Sequence, residues 1–256
     1  MRLGLEKKVF IVSGSSRGIG KGIAKILLEE GACVVLTGRE EKSLKATFRE
    51  FSSLFKGRLL EQAGDLNTTS TLKKLRQKVL KKWGRINGLV ANAGGVKPVK
   101  ELFISDSDFK WYFQANFELA RRFVTYFIED IKETKGAIVF ISSIAGLEDV
   151  GAPLAYSAAK AALGVYAKGL SRRLAFEGIR VNTVAPGNIL FAGGNWDKKQ
   201  KANPEAVKKM LKEKVALRCF GSPEDIGNIV AFLLSERAGF ITGSCFVVDG
   251  GQTLKM

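Results

Sequence analysis

Histidine is absent from the 256 residues of this chain, which removes several common kinds of catalysis. Ser-His-Asp and Cys-His nucleophiles need an imidazole as their base, and the usual zinc site of alcohol dehydrogenases needs one as a ligand. Proton transfer must therefore use tyrosine, lysine, aspartate, glutamate or cysteine side chains. The sequence indicates no metal site.

Cysteines and long apolar segments are also scarce. The three cysteines, Cys33, Cys219 and Cys245, are far apart and form no Cys-x-x-Cys pair. Two of them lie in apolar, strand-like segments, which predicts buried thiols in a reducing compartment. No run of 18 apolar residues is present, so we expect no membrane span. Together these features predict a cytoplasmic protein.

Acidic residues are outnumbered by basic ones, 25 to 41, and the formal net charge is +16. Residues 71–85 carry seven positive and no negative charges. Apolar residues at helical spacing in this segment predict an amphipathic helix with its lysines in solvent. The charge is compatible with an anionic substrate. Nucleic acid is a less favoured partner, because no nucleic-acid-binding motif accompanies the charge.

Short apolar segments alternate with amphipathic segments along the whole chain. Strands are predicted at 8–13, 33–37, 59–62, 88–91, 137–142, 180–185 and 244–248. Helices are predicted near 19–30, 40–55, 70–83, 108–133, 156–176 and 223–235. This alternation is typical of a parallel sheet covered by helices on both faces. The predicted fold is one doubly wound α/β domain over residues 1–256.

The alternation breaks at residues 188–218, between the sixth strand and the last helix. There Gly193 and Gly194 precede a further helix, which is predicted to begin at Asn203 and Pro204. Ligands of α/β proteins bind at the carboxyl ends of the strands. Because the insertion follows such an end, we expect it to form a small substrate lid.

A glycine-rich loop follows the first predicted strand and opens directly into a helix. Its sequence is Gly14-Ser15-Ser16-Arg17-Gly18-Ile19-Gly20. Glycines permit a tight turn and the close approach of a pyrophosphate, which free amide groups at the helix N-terminus then bind. The arrangement predicts a dinucleotide site, with a plain strand-to-helix turn as the alternative.

The end of the second strand indicates which dinucleotide is bound. An NAD site usually has an acidic residue there, which binds the ribose 2′-hydroxyl. This chain has Arg39 instead, and Arg17 of the glycine loop can assist it. Because arginines suit a 2′-phosphate, the predicted cofactor is NADP(H). Glu40 and Glu41 are interpreted as first-turn residues of the next helix.

Tyr156 and Lys160 are four residues apart, and Ser143 lies thirteen residues before the tyrosine. Residues four apart share one face of a helix, so the hydroxyl and the ammonium can lie over the same site. A nearby cation favours the phenolate and lowers the pKa of Tyr156 from its reference of ~10, and a positively charged cofactor ring could lower it further, towards about 7. Ser143 would hold the substrate oxygen, because Ser142 points to the opposite face of the strand. A helical surface pair is the alternative for so short a pattern.

Together these motifs resemble the short-chain dehydrogenase/reductase family over essentially the whole chain. The resemblance implies a Rossmann-type fold and hydride transfer between a nicotinamide and a carbonyl carbon. The matching residues, beyond those already named, are Asp65-Leu66, Asn92-Ala93-Gly94, Asn116, and Pro186-Gly187 with the nearby Ile189.

The resemblance also implies a role for each match. Tyr156 would be the general acid or base, and Lys160 would lower its pKa and bind the nicotinamide ribose. Ser143 would polarise the substrate oxygen, and Asn116 would hold a water that relays protons to the lysine. Among the cofactor contacts, Asp65-Leu66 would hold the adenine. Asn92-Ala93-Gly94 would border the cofactor, and Pro186-Gly187 would lie beside the nicotinamide.

Two departures from the family pattern bear on the substrate. Phe191 stands where the family often has a threonine that fixes the carboxamide, so backbone groups near Ile189 must contribute more. Well-known relatives of this architecture reduce 3-oxoacyl groups on acyl carrier protein. Glu177 stands where such relatives commonly have a basic residue. This weakens the carrier-protein interpretation. Trp196 and Asn195 of the lid could stack on and hydrogen-bond a polyhydroxylated substrate, so a sugar or sugar acid is the alternative, although Trp196 could equally only close the pocket.

Two further expectations come from the resemblance. Relatives are usually tetramers, and we expect a homo-oligomer, tetramer or dimer, assembled through 108–133, 156–176 and the C-terminal strand. The alternative from another class is a non-catalytic regulator that binds a dinucleotide on the same fold. Such regulators tend to lose the tyrosine or the lysine, and this chain has both Tyr156 and Lys160.

Overall fold

The computed structural model of the chain describes residues 2–97, 99 and 101–254. The predicted domain of 1–256 also includes Met1, Pro98, Lys100, Lys255 and Met256, which lie outside the described residues. The strands are β1 (Val9–Val12), β2 (Cys33–Gly38), β3 (Leu59–Ala63), β4 (Gly88–Ala91), β5 (Ala137–Ile141), β6 (Arg180–Pro186) and β7 (Cys245–Val248).

The helices are α1 (Gly18–Glu29), α2 (Glu41–Leu54), α3 (Thr69–Trp83), α4 (Asp106–Phe113), α5 (Leu119–Thr134), α6 (Leu154–Leu174), α7 (Asn195–Ala202), α8 (Pro204–Lys214) and α9 (Pro223–Leu234). None of these helices is both long and apolar enough to cross a membrane. α3 buries Leu72, Leu75 and Val79 and exposes most of its lysines, so the basic segment is the predicted amphipathic helix.

The strands form one parallel sheet of seven in the order β3-β2-β1-β4-β5-β6-β7. Successive residues of a strand face opposite sides of a sheet. In β1, Phe10 and Val12 pack under α1, α2 and α9, whereas Val9 and Ile11 pack under α3, α5 and α6. Both faces are therefore covered, which explains why the strands are apolar throughout rather than alternating. The predicted doubly wound fold is confirmed.

The strand order reverses between β1 and β4, and side chains join the two strand ends there. The buried Ser13 hydroxyl accepts hydrogen bonds from the backbone amides of Asn92 and Ala93, at 2.8 and 2.9 Å. The Asn92 side chain donates to the carbonyls of Ser13 and Gly14, at 2.9 and 3.1 Å. Clefts at such a reversal are where open α/β sheets bind ligands.

Two helices differ from the sequence prediction. The predicted helix at 108–133 is divided into α4 and α5 by one π-helical turn at Gln114–Glu118. In the 188–218 segment the predicted helix at Asn203 is present as α8, and the Asn203 side chain caps it by accepting from the amide of Ala206. α7 was not predicted, because it is polar and buries no residue.

One prediction about the cysteines is wrong. Cys33 is buried in β2, but Cys245 is exposed in this chain, as is Cys219. The reason is the place of β7 at the edge of the sheet, where it has only one neighbouring strand. An apolar strand sequence predicts burial only for strands inside a sheet.

α1, which begins in the glycine loop, packs closely against α9. A Cβ atom placed on Gly22 of α1 would lie 2.6 Å from the backbone of Pro223. A Cβ on Gly227 of α9 would lie 3.0 Å from the Gly22 carbonyl oxygen. The two glycines therefore let the helix backbones touch, and this contact fixes the height of α1 against the sheet.

Gly22→Ala is expected to lower the free energy of unfolding by about 1–3 kcal/mol, the usual cost of overpacking a filled interface. Urea unfolding followed by circular dichroism measures the change. Gly164→Ala is the matched control, since Gly164 lies within α6 with no atom near its missing Cβ. That variant should gain roughly 0.4–1 kcal/mol. Equal unfolding midpoints for the two variants would contradict the close α1–α9 contact.

Candidate active site

The glycine loop is held by the ends of three strands. The amides of Gly14 and Ser15 donate to Thr37 at the end of β2, at 3.1 and 2.8 Å. Asn92, after β4, contacts the Gly14 carbonyl. A Cβ on Gly20 would lie 2.3 Å from the Gly14 oxygen and 2.5 Å from Nδ2 of Asn92. Glycine is therefore needed there by space, which a plain strand-to-helix turn does not require.

The N-terminus of α1 has no cap from its own chain. The N-cap residue is Arg17, which makes no side-chain capping bond, and the first turn contains no acidic residue. Other helices, such as α2 and α3, also lack a side-chain cap, whereas Ser105, Asn203 and Ser222 cap theirs. The first amides of a helix lack intrahelical partners and attract anions. The α1 N-terminus, including Gly18, Ile19 and Gly20, therefore suits a phosphate.

The end of β2 lies against the same loop. A Cβ on Gly38 would lie 3.2 Å from the side chain of Ser16, so the two segments are in contact. Arg39 and Arg17 are both exposed, and neither has a carboxylate partner among residues 2–97, 99 and 101–254. Glu41 pairs with Lys45 in the first turn of α2, at 2.6 Å. The guanidinium groups are therefore available to a phosphate. Glu41 lies in the first turn of α2 as predicted, whereas Glu40 is the N-cap residue and precedes that turn.

Asp65 and Leu66 lie after β3, on the same side of the glycine loop as β2. Leu66 is buried in the core, whereas Asp65 is exposed and accepts a hydrogen bond from the amide of Asn67. This turn fixes the carboxylate at the carboxyl edge of the sheet. The residues fit the adenosine half of a dinucleotide by their chemistry and by their place at the sheet edge.

Asn116 joins the loop after β4 to the helical layer. Its side chain is 1% exposed and donates to the carbonyls of Gly95 and Tyr112, at 2.9 and 3.0 Å, and accepts from the Gly95 amide, at 3.0 Å. A Cβ on Gly94 would lie 2.7 Å from Oδ1 of Asn116 and 3.5 Å from Nζ of Lys160. Gly94 therefore lies between the asparagine and the lysine.

Asn116 belongs to the π-helical turn between α4 and α5. A π turn inserts one residue into a helix and occurs frequently at functional sites. Here it directs a fully buried amide to the backbone of Gly95. No simple sequence pattern indicates such an insertion, so the prediction of one continuous helix at 108–133 did not include it.

Ser143, Tyr156 and Lys160 meet at the carboxyl end of β5. Ser143 precedes a 3₁₀ turn, Ile144–Gly146, and its hydroxyl accepts from the Ala145 amide at 3.2 Å. Tyr156 and Lys160 lie on α6, with Nζ of the lysine 5.8 Å from the centre of the tyrosine ring. The neighbouring Ser142 points elsewhere, because its hydroxyl donates to the Lys160 carbonyl at 2.9 Å.

The electrostatics of the pair differ from the sequence-based expectation. Burial raises the pKa of Tyr156 above its ordinary value, and a side-chain interaction with Ser143 offsets only part of this rise. Burial also lowers the pKa of Lys160 to about 8. The Lys160 ammonium donates to the Ile141 carbonyl at 2.9 Å and contributes nothing to the shift of the tyrosine. The predicted lowering of the pKa of Tyr156 by Lys160 is therefore wrong for this chain by itself.

The turn after β6 also lines the cleft. Pro186 ends that strand, and the Gly187 amide donates to the Val248 carbonyl at 2.9 Å. A Cβ on Gly187 would lie 2.6 Å from the Cβ of Asp249, so the turns after β6 and β7 touch. Ile189 is buried and bridges to Gly221.

Several residues that shape the cleft were not predicted from the sequence. Ser13 fixes the Asn92 loop, and the carbonyls of Ile141 and Tyr112 fix Lys160 and Asn116. Backbone acceptors carry no residue-type signal, so a sequence pattern does not reveal them. Asp249 accepts from Gly251 and Thr253 and holds the turn beside Gly187.

Residues 14–253 match the family model described as enoyl-(acyl carrier protein) reductase. This match and the relatives below show that the chain belongs to the short-chain dehydrogenase/reductase family of oxidoreductases. The family model covers the glycine loop, the Ser143, Tyr156 and Lys160 cluster and the turn after β7.

The chain is similar to a 3-oxoacyl reductase, to a further dehydrogenase/reductase and to a sugar reductase. It is 33% identical to the 3-oxoacyl-acyl-carrier-protein reductase of Aquifex aeolicus, over 98% of this chain and 100% of that protein. It is 32% identical to dehydrogenase/reductase SDR family member 4 of Caenorhabditis elegans, over 98% and 97% of the two chains. The structure of L-sorbose reductase from Gluconobacter frateurii, complexed with NADPH and L-sorbose, superposes with a TM-score of 0.93 at 30% identity and full coverage of both chains.

Replacing Lys160 should reveal its low pKa through the pH dependence of stability. Between about pH 8 and 10.5 the unfolded chain keeps the lysine proton while the folded chain loses it, so rising pH stabilises the fold. Relative to Lys160→Met, the wild type should gain up to about 3 kcal/mol across this window, at 1.36 kcal/mol per pKa unit. Urea unfolding of both proteins at pH 7.5, 9 and 10 measures the difference.

Lys168→Met is the matched control, because Lys168 is an exposed lysine on the same helix. Its difference from the wild type should stay constant over the same pH values. A constant difference for Lys160→Met as well would show that burial does not shift the lysine.

Proposed function

We propose that the chain is an NADP(H)-dependent reductase that transfers a hydride to the carbonyl carbon of a small-molecule substrate, with 3-oxoacyl groups as the first candidate. The observation that carries this proposal is the cluster of Ser143, Tyr156 and Lys160 beside the Asn92–Gly95 loop. The similarity to 3-oxoacyl-acyl-carrier-protein reductases and to a reductase complexed with NADPH supports it.

The raised pKa of Tyr156 favours the reducing direction. Burial keeps the hydroxyl protonated near neutral pH, and a protonated tyrosine can donate to a carbonyl oxygen as it gains negative charge. When bound, NADPH supplies the hydride that adds to the carbonyl carbon. The tyrosine proton completes the alcohol, so the substrate gains one hydride and one proton.

Three other residues would orient the substrate oxygen and return a proton to Tyr156. Ser143 interacts with the tyrosine side chain and is placed to orient the substrate oxygen. Lys160 has a pKa of about 8 and therefore exchanges protons near neutral pH, which suits a relay to the tyrosine and contact with a ribose. Asn116 lies on the other side of Gly94 and would extend the relay through a water.

We propose the following cofactor contacts. The pyrophosphate would lie at the α1 N-terminus with Gly14, Ser16, Gly18, Ile19 and Gly20. The 2′-phosphate would bind Arg39 and Arg17, and the adenine would bind beside Asp65 and Leu66. The nicotinamide half would lie along Asn92-Ala93-Gly94, Tyr156, Lys160, Pro186, Gly187 and Ile189.

A keto sugar or sugar acid is the second candidate substrate, and one observation favours it. Glu177 pairs with Lys132 at 3.2 Å, so the position where carrier-protein reductases commonly have a basic residue is occupied by an internal ion pair. The likeness to L-sorbose reductase points the same way. The basic residues of the 188–218 segment, which we propose is the substrate lid, suit an anionic member of either class.

The deciding experiment follows NADPH absorbance against a panel of 3-oxoacyl thioesters, keto sugars and their acids. Oxidation of NADPH by one class assigns the substrate. Tight NADPH binding without turnover across the panel would favour the alternative of a non-catalytic regulator.

Tyr156→Phe should lower turnover by roughly 100-fold or more, the usual contribution of a general acid, because the substrate oxygen loses its proton donor. The dissociation constant of NADPH, measured by fluorescence, should stay close to that of the wild type. Tyr166→Phe is the control, since that α6 tyrosine packs on Phe117 and Phe140. Near-normal turnover of Tyr156→Phe would refute the assigned role.

Arg39→Ala should weaken NADPH binding by about 10-fold to 100-fold, the equivalent of one charge-assisted contact of 1.5–3 kcal/mol. Binding of NADH should change little, because it has no 2′-phosphate. Titration calorimetry with both dinucleotides measures this, and Arg49→Ala on α2 is the control for loss of an exposed arginine. An unchanged preference in Arg39→Ala would show that another group selects the cofactor.

We propose that the chain assembles as a homo-oligomer, a tetramer or a dimer. Exposed apolar side chains on α4, α6 and β7 support this: Phe109 is 46%, Val165 75% and Val247 43% exposed in the single chain. Sedimentation velocity distinguishes the states, and a clean monomer would contradict assembly. The cytoplasmic location stays a prediction from the sequence.

A further inference from the structure

Phe191 lies in an unusual place for a residue of the 188–218 segment. A Cβ placed on Gly18 would lie 2.8 Å from Cε2 and Cζ of the Phe191 ring and 3.1 Å from its Cε1. The ring therefore packs directly on the first residue of α1. The contact joins the proposed lid to the glycine loop.

A pyrophosphate bound at the N-terminus of α1 would lie against the backbone of Gly18. Gly18 has a φ of +56° and begins α1, whose first amides have no partner within the helix. A glycine in such a loop lets the backbone approach the pyrophosphate, because a side chain there would stand in its way. In this chain the Phe191 ring fills the position that a side chain of Gly18 would take. A pyrophosphate that approached Gly18 from this side would meet the ring.

The ring is held between two glycines. A Cβ on Gly194 would lie 2.9 Å from the same ring atoms, so Gly194 forms the other side of the slot. Gly194 is the N-cap of α7, and its amide donates to the Phe191 carbonyl at 3.0 Å. Gly193, which lies between Phe191 and Gly194 in the chain, has a φ of +73°. The 191–194 turn is thus a compact unit that ends where α7 begins.

The chain is anchored firmly before the 191–194 turn and packs only weakly after it. Ile189 bridges to Gly221, and the Leu190 amide donates to the Gly221 carbonyl at 2.9 Å, which ties the segment to the start of α9. After the turn, α7 buries none of its residues. The firm anchor therefore lies before Phe191, and the weakly packed part lies after it.

We propose that Phe191 is a gate of the dinucleotide site. Its ring must leave Gly18 before the pyrophosphate can bind there, and the 191–194 turn moves with it. This inference rests on the proposed NADP(H) function, because it concerns the same site. It gives the phenylalanine, which stands where a threonine is common, a role in admitting the cofactor.

The test compares rates of NADPH association by stopped-flow fluorescence in the wild type, Phe191→Ala and Phe191→Leu. The wild-type rate is limited by the fraction of chains whose ring has moved away, and minor states are typically populated at roughly 0.1–10%. Association should therefore be about tenfold faster or more in Phe191→Ala. Phe191→Leu, which keeps an apolar side chain of intermediate size, should lie between the two.

The matched control is Phe220→Ala, because Phe220 is another aromatic residue near the lid and packs on Trp196 instead of Gly18. Its association rate should equal that of the wild type. Binding of 2′-AMP, which has no pyrophosphate, should be the same in all four proteins and also reports that each variant is folded.

An NADPH association rate that is unchanged or slower in both Phe191 variants, with 2′-AMP binding intact, would overturn the gate and leave the proposed cofactor in place. In that case the ring lies beside the bound phosphates as a fixed wall. Failure of the wild type to bind either NADPH or 2′-AMP would overturn the proposed cofactor together with the gate.

Discussion

The cleft depends on the hydrogen bonds that join Ser13, directly after β1, to the loop that begins at Asn92, directly after β4. The sheet reverses its strand order between β1 and β4, so no chain connection there keeps the two strand ends at a fixed distance. Beyond the β1–β4 ladder, the Ser13 hydroxyl and the Asn92 side-chain amide join these ends through four bonds of 2.8–3.1 Å. The glycine loop leaves one of these ends, and Gly94, which lies between Asn116 and Lys160, follows the other. The proposed phosphate site and the proposed proton-transfer site therefore share one support.

Burial disfavours the charged form of both side chains in the Tyr156–Lys160 pair. It disfavours the phenolate and the ammonium alike, which raises the pKa of the tyrosine and lowers that of the lysine. The protein by itself thus favours two neutral groups over an ion pair. A neutral tyrosine is a proton donor, whereas a lysine with a pKa of about 8 changes its charge readily near neutral pH. In the reaction proposed above, this state would let the tyrosine donate its proton to a carbonyl oxygen.

The sequence predicted those features that depend on local pattern. All seven strands lie where apolar segments were found, and the glycine loop and the Tyr156–Lys160 spacing placed their residues at the same edge of the sheet. The errors arose where distant packing decides the outcome. The exposure of Cys245 follows from which strand lies at the sheet edge, and the pKa of Tyr156 follows from desolvation. The contact between Phe191 and Gly18 joins residues far apart in the chain, and nothing in either local segment indicates it.

The π-helical turn at Gln114–Glu118 also makes this segment sensitive to chain length. Each residue of an α-helix advances the direction of its side chains by roughly 100°. The one additional residue therefore shifts the side-chain directions of α5 relative to α4 by about that angle, and α5 covers the sheet. A deletion of one residue here would leave a continuous α-helix, but it would turn either Asn116 or the buried Tyr112 away from its hydrogen-bond partners.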